Sequence, residues 1–178
     1  MLTVVKVGGG LLATPALLPR VGRALARLGT GQPLVVIPGG GPFAEQVRQF
    51  DRAHGLSPTA AHWMAILAMD QYAWVLAGAV PGSRLVDDRP GVLQAHRDGV
   101  LPVLAPSRWL RAADELPHRW EVTSDSLAAY LATLLGAEEL LLVKPVAGGT
   151  ELVDAWFARV VPADMTVRIV GAEAFAAD

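Results

Sequence analysis

Val4-Val5-Lys6-Val7-Gly8-Gly9-Gly10 and Leu34-Val35-Val36-Ile37-Pro38-Gly39-Gly40-Gly41 decide how this chain folds. Each is a short β-branched run that stops on three glycines. An apolar run without alternation reads as a strand buried on both faces, as in a parallel sheet covered by helices. Glycines at the carboxyl end of such a strand permit a tight turn. Their bare backbone N–H groups can also close on a polyanion, beside the positive end of the following helix dipole. Two such loops predict two phosphate groups held side by side.

Outward from these loops, residues 15–28 read as an amphipathic helix with Thr14 as N-cap and Pro15 at its first position. Residues 42–54 read as a second helix with Arg48, Gln49 and Arg52 toward water, ended by Gly55. Ser57-Pro58 opens a third, which runs to about residue 77. Residues 84–86 and 101–104 read as strands, the latter followed by a short helix bearing Trp109. Thr123 or Ser124 caps a helix that Gly136 stops, residues 139–144 form an apolar strand, and 166–170 a late one. This alternation predicts an α/β fold: an open, mostly parallel sheet covered by helices on both faces, in three layers, with residues 1–178 as one domain.

The composition narrows the function classes. The chain is 52% hydrophobic and 18% charged, with a net charge of −2, so bulk electrostatics invite neither nucleic acid nor an anionic membrane. A polyanion must be gripped locally. Cysteine is absent, which excludes disulfides and thiolate chemistry and fits a reducing cytoplasm. No apolar run reaches the length of a membrane span, so a cytoplasmic protein is expected. The five tryptophans are scattered and read as core or interface residues rather than a stacking platform.

Both glycine loops formally match a dinucleotide fingerprint, yet no Asp or Glu occurs between Met1 and Ala44, and none follows the second loop near residues 60–65 to hold a ribose. Neither leads into the Gly-Lys-Ser/Thr of a P-loop. Four segments instead occur in the order of the amino acid kinase superfamily: Lys6-Val7-Gly8-Gly9, Ile37-Pro38-Gly39-Gly40-Gly41, Val122-Thr123-Ser124-Asp125-Ser126-Leu127-Ala128-Ala129, and Leu141-Leu142-Val143-Lys144. The chain resembles that superfamily from residue 2 to about 149. The resemblance implies transfer of the γ-phosphoryl group of ATP, with Mg²⁺, to a small phosphorylated acceptor. It implies Lys6, Asp125 and Lys144 as catalytic residues, the lysines acting on the transferring phosphoryl group and Asp125 orienting them. Gly8, Gly9, Gly10, Ser124, Lys144 and Gly148 are then expected at the nucleotide, and Gly39, Gly40 and Gly41 at the acceptor's phosphate.

The stretch Ala61-His62-Trp63-Met64-Ala65-Ile66-Leu67-Ala68-Met69-Asp70, with Trp120-Glu121-Val122, is similar to the branch that phosphorylates (5-(aminomethyl)furan-3-yl)methyl phosphate in methanofuran assembly. His62 and Asp70 lie two helical turns apart on one face, where a histidine could meet a phosphomonoester and an acid the aminomethyl cation. A uridylate or isopentenyl phosphate acceptor stays open, as does a kinase fold that only binds metabolites. The last reading draws on Ala147, where the uridylate-kinase-like branch carries an aspartate, and on a C-terminus that stops soon after residue 171. No dense carboxylate cluster offers a dedicated protein metal site, so Mg²⁺ is expected on the phosphates. The apolar helix at residues 59–77 predicts a homo-oligomer.

Overall fold

The computed structural model describes residues 1–177, Thr150 by its backbone alone. Six strands form one sheet: β1 (Thr3–Val7), β2 (Leu34–Pro38), β3 (Ser83–Val86), β4 (Leu101–Leu104), β5 (Glu139–Lys144) and β6 (Thr166–Gly171). Their order is β3-β4-β2-β1-β5-β6, and every described pair is parallel. Parallel pairing requires crossovers, and these are α1 (Leu17–Gly31), α2 (Gly41–His54), α3 (Pro58–Ala79), α4 (Arg89–Arg97), α5 (Ser107–Ala112), α6 (Ser124–Leu135) and α7 (Phe157–Val160), with α8 (Ala172–Phe175) closing the described chain.

Two apolar layers sandwich the sheet. Side chains alternate along each strand, so Val4, Val35, Ile37, Leu140 and Leu142 pack toward α6, with Leu127, Ala128 and Leu131. Val5, Val7, Val36, Leu141 and Val143 pack the other way, against Val21 and Leu25 of α1 and Tyr72 and Leu76 of α3. This is why β1, β2 and β5 are buried along their whole length and read as mainly apolar runs, with Lys6 and Lys144 near their carboxyl ends. After β1 the chain builds outward through β2, and it returns to β1's other side only with β5, so the order reverses beside β1. Ligands of open α/β sheets bind beyond the carboxyl ends of strands at such a reversal.

Three expectations need correction. Pro15 does not start α1: a 3₁₀ turn at Gly9–Ala13 absorbs the glycine loop, the helix begins at Leu17, and its cap residue Ala16 offers no side-chain acceptor. Thr14 instead ends the 3₁₀ turn, its N–H bonded to Leu11 O. Residues 89–97, to which the sequence reading assigned no element, form helix α4, capped by Asp88, whose Oδ1 accepts from Gly91 N at 2.8 Å with a proline in the first turn. Arg48 does not simply face water, as described below. Among the described residues no helix is long and apolar enough to cross a membrane.

Candidate active site

Register brings the two lysines together. Lys6 of β1 lies opposite Leu142 of β5, and Lys144 is two residues further along β5, so both side chains leave the sheet on the α6 face at its carboxyl end. Helix α6 starts above them. Thr123 is its N-cap, with Oγ1 accepting from Asp125 N at 3.3 Å, which leaves the Asp125 carboxylate in the first turn free to reach down. Lys144 Nζ donates to Asp125 Oδ2 at 2.6 Å, and Lys6 Nζ sits 2.8 Å from Oδ1. All three groups are buried. Burial opposes ionisation of Asp125, but the two ammonium groups outweigh it and hold its carboxyl below the usual carboxylate range. Burial lowers the Lys6 ammonium from its ordinary value despite Asp125.

The rest of that helix start is held by Asp154, which the sequence reading did not single out. Its Oδ2 accepts from Thr123 N at 3.1 Å, Thr123 Oγ1 at 2.6 Å and Ser126 N at 3.2 Å. Oδ1 accepts from Ser126 Oγ at 2.5 Å and Trp156 N at 3.0 Å. Asp154 therefore fixes the turn from which Asp125 projects.

The two glycine loops meet each other. A Cβ on Gly9 would lie 2.0 Å from Gly41 N, and Gly41 itself has φ +56°, a region that favours glycine. A Cβ on Gly39 would approach Gly9 N at 2.8 Å. Gly9, Gly39 and Gly41 are thus required because backbone packs on backbone, which joins the turn after β1 to the start of α2. Gly10 lies under Pro145, whose Cγ would be 2.5 Å from an added Cβ.

Beside this junction opens a cavity of about 580 Å³. Gly40 and Gly41 at the uncapped N-terminus of α2, Ser124 and Thr123 at the start of α6, and His62 of α3 line it. Its rim is polar and aromatic. Arg48 stacks on Trp120, 4.8 Å from the ring centroid, and Trp120 Nε1 donates to Asp51 Oδ2 at 2.7 Å. His62 is buried and stacked on His118 at 4.3 Å between centroids, and burial together with His118 pushes its pKa down to about 4. Arg48, Asp51, His118, Arg119 and Trp120 were missed as cavity residues, because no local pattern ties residues 48–51 of α2 to 118–120 across the fold.

The expected residues separate into groups. Lys6, Asp125 and Lys144 form the buried ion cluster; Gly40, Gly41, His62 and Ser124 line the cavity; Gly8, Gly9, Gly10 and Gly39 form the junction between them. Gly148 stands apart on an exposed turn, beside Leu152 and Glu151, while Leu152 O accepts from Lys144 Nζ at 2.8 Å. Asp70 does not reach the cavity. Its Oδ1 accepts from Ser107 N at 3.0 Å and Oδ2 from Ser107 Oγ, so it anchors the start of α5. Its neighbour Met69 lines the cavity instead, beside His62, Ala65 and Ile66 of the same helix.

Ammonium groups and backbone N–H donors suit phosphate oxygens. The carboxylates at this helix start suit a metal poorly, because Asp125 is shared between two lysines and the half-buried Asp154 already accepts five hydrogen bonds. A cation accompanying a polyphosphate would ride on the phosphate oxygens.

The sequence model of the amino acid kinase family matches residues 1–148. A [5-(aminomethyl)furan-3-yl]methyl phosphate kinase from Methanocaldococcus jannaschii is 32% identical over 147 residues, which are 82% of this chain and 66% of that protein. The fold is shared with uridylate kinase from Archaeoglobus fulgidus (TM-score 0.73, 17% identity, 99% of this chain and 94% of that one). It is shared too with UMP kinase from Ureaplasma parvum (TM-score 0.69, 11% identity, 96% and 89%).

Proposed function

Since the chain belongs to the amino acid kinase family, we propose that it transfers the γ-phosphoryl group of ATP to a small phosphomonoester, giving a diphosphate, with (5-(aminomethyl)furan-3-yl)methyl phosphate as the acceptor. The observation that carries the reading is the buried Lys6–Asp125–Lys144 cluster beside a polar cavity.

Phosphoryl transfer asks a protein for alignment and charge neutralisation rather than covalent chemistry. The reaction breaks the bond from the γ-phosphorus to the β,γ-bridging oxygen, whose electron pair leaves with ADP. It forms a bond from an acceptor phosphate oxygen, which is already anionic and needs no general base. Lys6 and Lys144 offer two ammonium groups from adjacent strands, and Asp125 fixes their spacing, so the positive charge is preorganised. Mg²⁺, when bound, would neutralise further charge on the phosphates.

The acceptor reading has support in the cavity itself. The uncapped start of α2 at Gly40-Gly41 suits a phosphate, with the helix dipole favouring the anion. Trp120 supplies an aromatic surface for a flat ring, and Asp51 and Glu121 supply negative charge for an ammonium group. A second reading, a fold that binds nucleotide or metabolite without transfer, draws on Ala147 in the loop after Lys144.

The test is ATP consumption with Mg²⁺ against the aminomethylfuran phosphate, uridylate and isopentenyl phosphate, with calorimetric ATP binding on the same sample. Diphosphate formed from the furan supports the proposal. Turnover of uridylate or isopentenyl phosphate alone refutes the acceptor, and ATP binding without any turnover favours the second reading.

A further inference from the structure

His62 of α3 and Asp114 and His118 of the segment after α5 each bring one ligand atom to within 4.8 Å of the others. We propose that this trio binds a first-row divalent cation of the zinc class, at a site separate from any cation carried by a nucleotide.

Two imidazoles and one carboxylate are a donor set suited to zinc, leaving further coordination positions open. The two rings lie nearly parallel, stacked at 4.3 Å and 18°, which sets the two imidazoles side by side. Asp114 and His118 stand four residues apart, with Asp114 Oδ1 2.9 Å from His118 Nε2. Two ligands that close can share one cation at bond lengths of about 2.0–2.1 Å, with an angle near 90° at the metal. The other ring nitrogen of His118, Nδ1, lies 3.0 Å from Thr59 Oγ1. With Nε2 bound to a cation, Nδ1 would carry the ring proton and donate it to Thr59 Oγ1, the outer hydrogen bond that orients a metal-bound histidine.

The surroundings hold the rings in place. Trp63 packs edge-on against His62 (5.2 Å, 82°) and His118 (5.6 Å, 77°), and Arg111 lies over the far ring of Trp63 at 5.2 Å. A rigid apolar wall on one side limits how far either imidazole can turn away. Asp114 is exposed, which gives a cation a path in from solvent, while His62 and His118 both line the cavity. A bound cation would therefore meet whatever occupies that cavity.

The site is tested on the full chain, freed of metal by chelation, with no nucleotide or acceptor present, so the outcome is independent of the kinase reading. Calorimetric titration with Zn²⁺, and absorption spectra with Co²⁺, should show one saturable equivalent. His62→Ala and His118→Ala should each weaken binding at least 100-fold, and Thr59→Val about tenfold, the effect expected of an outer-shell partner. Because removing the buried His62 also removes packing, Asp114→Asn, at an exposed position, provides the surface-accessible control and should weaken binding by at least tenfold. No saturable equivalent, or binding that survives both His118→Ala and Asp114→Asn in folded protein, overturns the proposal.

Discussion

Replacing Asp125 by asparagine keeps the side chain's shape and removes its charge, leaving the Lys6 and Lys144 ammonium groups buried at the ends of neighbouring strands without the carboxylate charge they share. Breaking a buried ion pair by removing one partner costs about 3–5 kcal/mol. For a chain of 178 residues each kcal/mol moves the melting temperature by roughly 2–4 °C. Asp125→Asn should therefore melt roughly 6–20 °C below the parent, and turnover should fall by about 10²–10³, the scale of losing one preorganised charge contact. Differential scanning calorimetry reads the first and a coupled ADP-release assay the second. A second variant separates charge from packing. Lys6→Met with Asp125→Leu removes charges of opposite sign and should regain part of the lost stability, because apolar replacements of buried ion pairs are often tolerated, while turnover stays lost. Unchanged melting and turnover in folded Asp125→Asn would show that the cluster neither holds the strand ends nor serves transfer.

Lys6→Met alone should lower turnover by about 10²–10³ while ATP affinity falls less, read by comparing kcat with calorimetric binding; full activity would remove Lys6 from the mechanism. The ion cluster also predicts acid sensitivity. Asp125 titrates lower in the folded chain than in the unfolded one, so its contribution is complete above the ordinary carboxylate pKa and is lost as pH falls through its lowered value. Melting temperature against pH should show this loss in the parent and a shallower one in Asp125→Asn. Gly9→Ala should fail to fold or lose most of its stability, because its Cβ would strike Gly41 N at 2.0 Å, whereas Gly78→Ala, with nothing within 4 Å of an added Cβ, should gain up to about 1 kcal/mol in chemical denaturation. Trp74 is 69% exposed and Leu67, two turns earlier on α3, 44%; if α3 pairs with its twin, Trp74→Arg should shift sedimentation toward the monomer.

What the sequence disclosed follows from how far each signal reaches. The strands β1, β2 and β5 were legible because burial on both faces leaves a mainly apolar run in one place. Lys6, Asp125 and Lys144 were legible because each sits at the edge of such a run or at a helix start, where a charged side chain stands out. Asp154 was not: it lies in a weakly patterned tail, and its five hydrogen bonds reach back to residues 123 and 126 and forward to 156. Arg48 looked like a solvated arginine because helix periodicity says nothing of a tryptophan 72 residues later. The proximity of His62, Asp114 and His118 was not legible either, since contact between residues 56 positions apart leaves no local spacing.

The two halves of the site differ in how they are held, and that difference bears on specificity. The lysine cluster is built from strand ends and a helix start that the sheet fixes in register, and backbone contact between Gly9 and Gly41 ties it to the cavity. Side-chain changes there would disturb the fold before they altered selectivity. The opposite wall is carried by residues 118–121 and the outer face of α2, where Arg48, Asp51 and Trp120 hold one another by a cation–π contact and a single hydrogen bond. Side chains held so locally can be exchanged without moving the sheet. Acceptor choice should therefore reside in that wall: Asp51→Asn and Trp120→Leu should raise the acceptor's KM while ATP affinity stays constant, and an equal loss of ATP affinity would mean that the cavity belongs to the nucleotide instead.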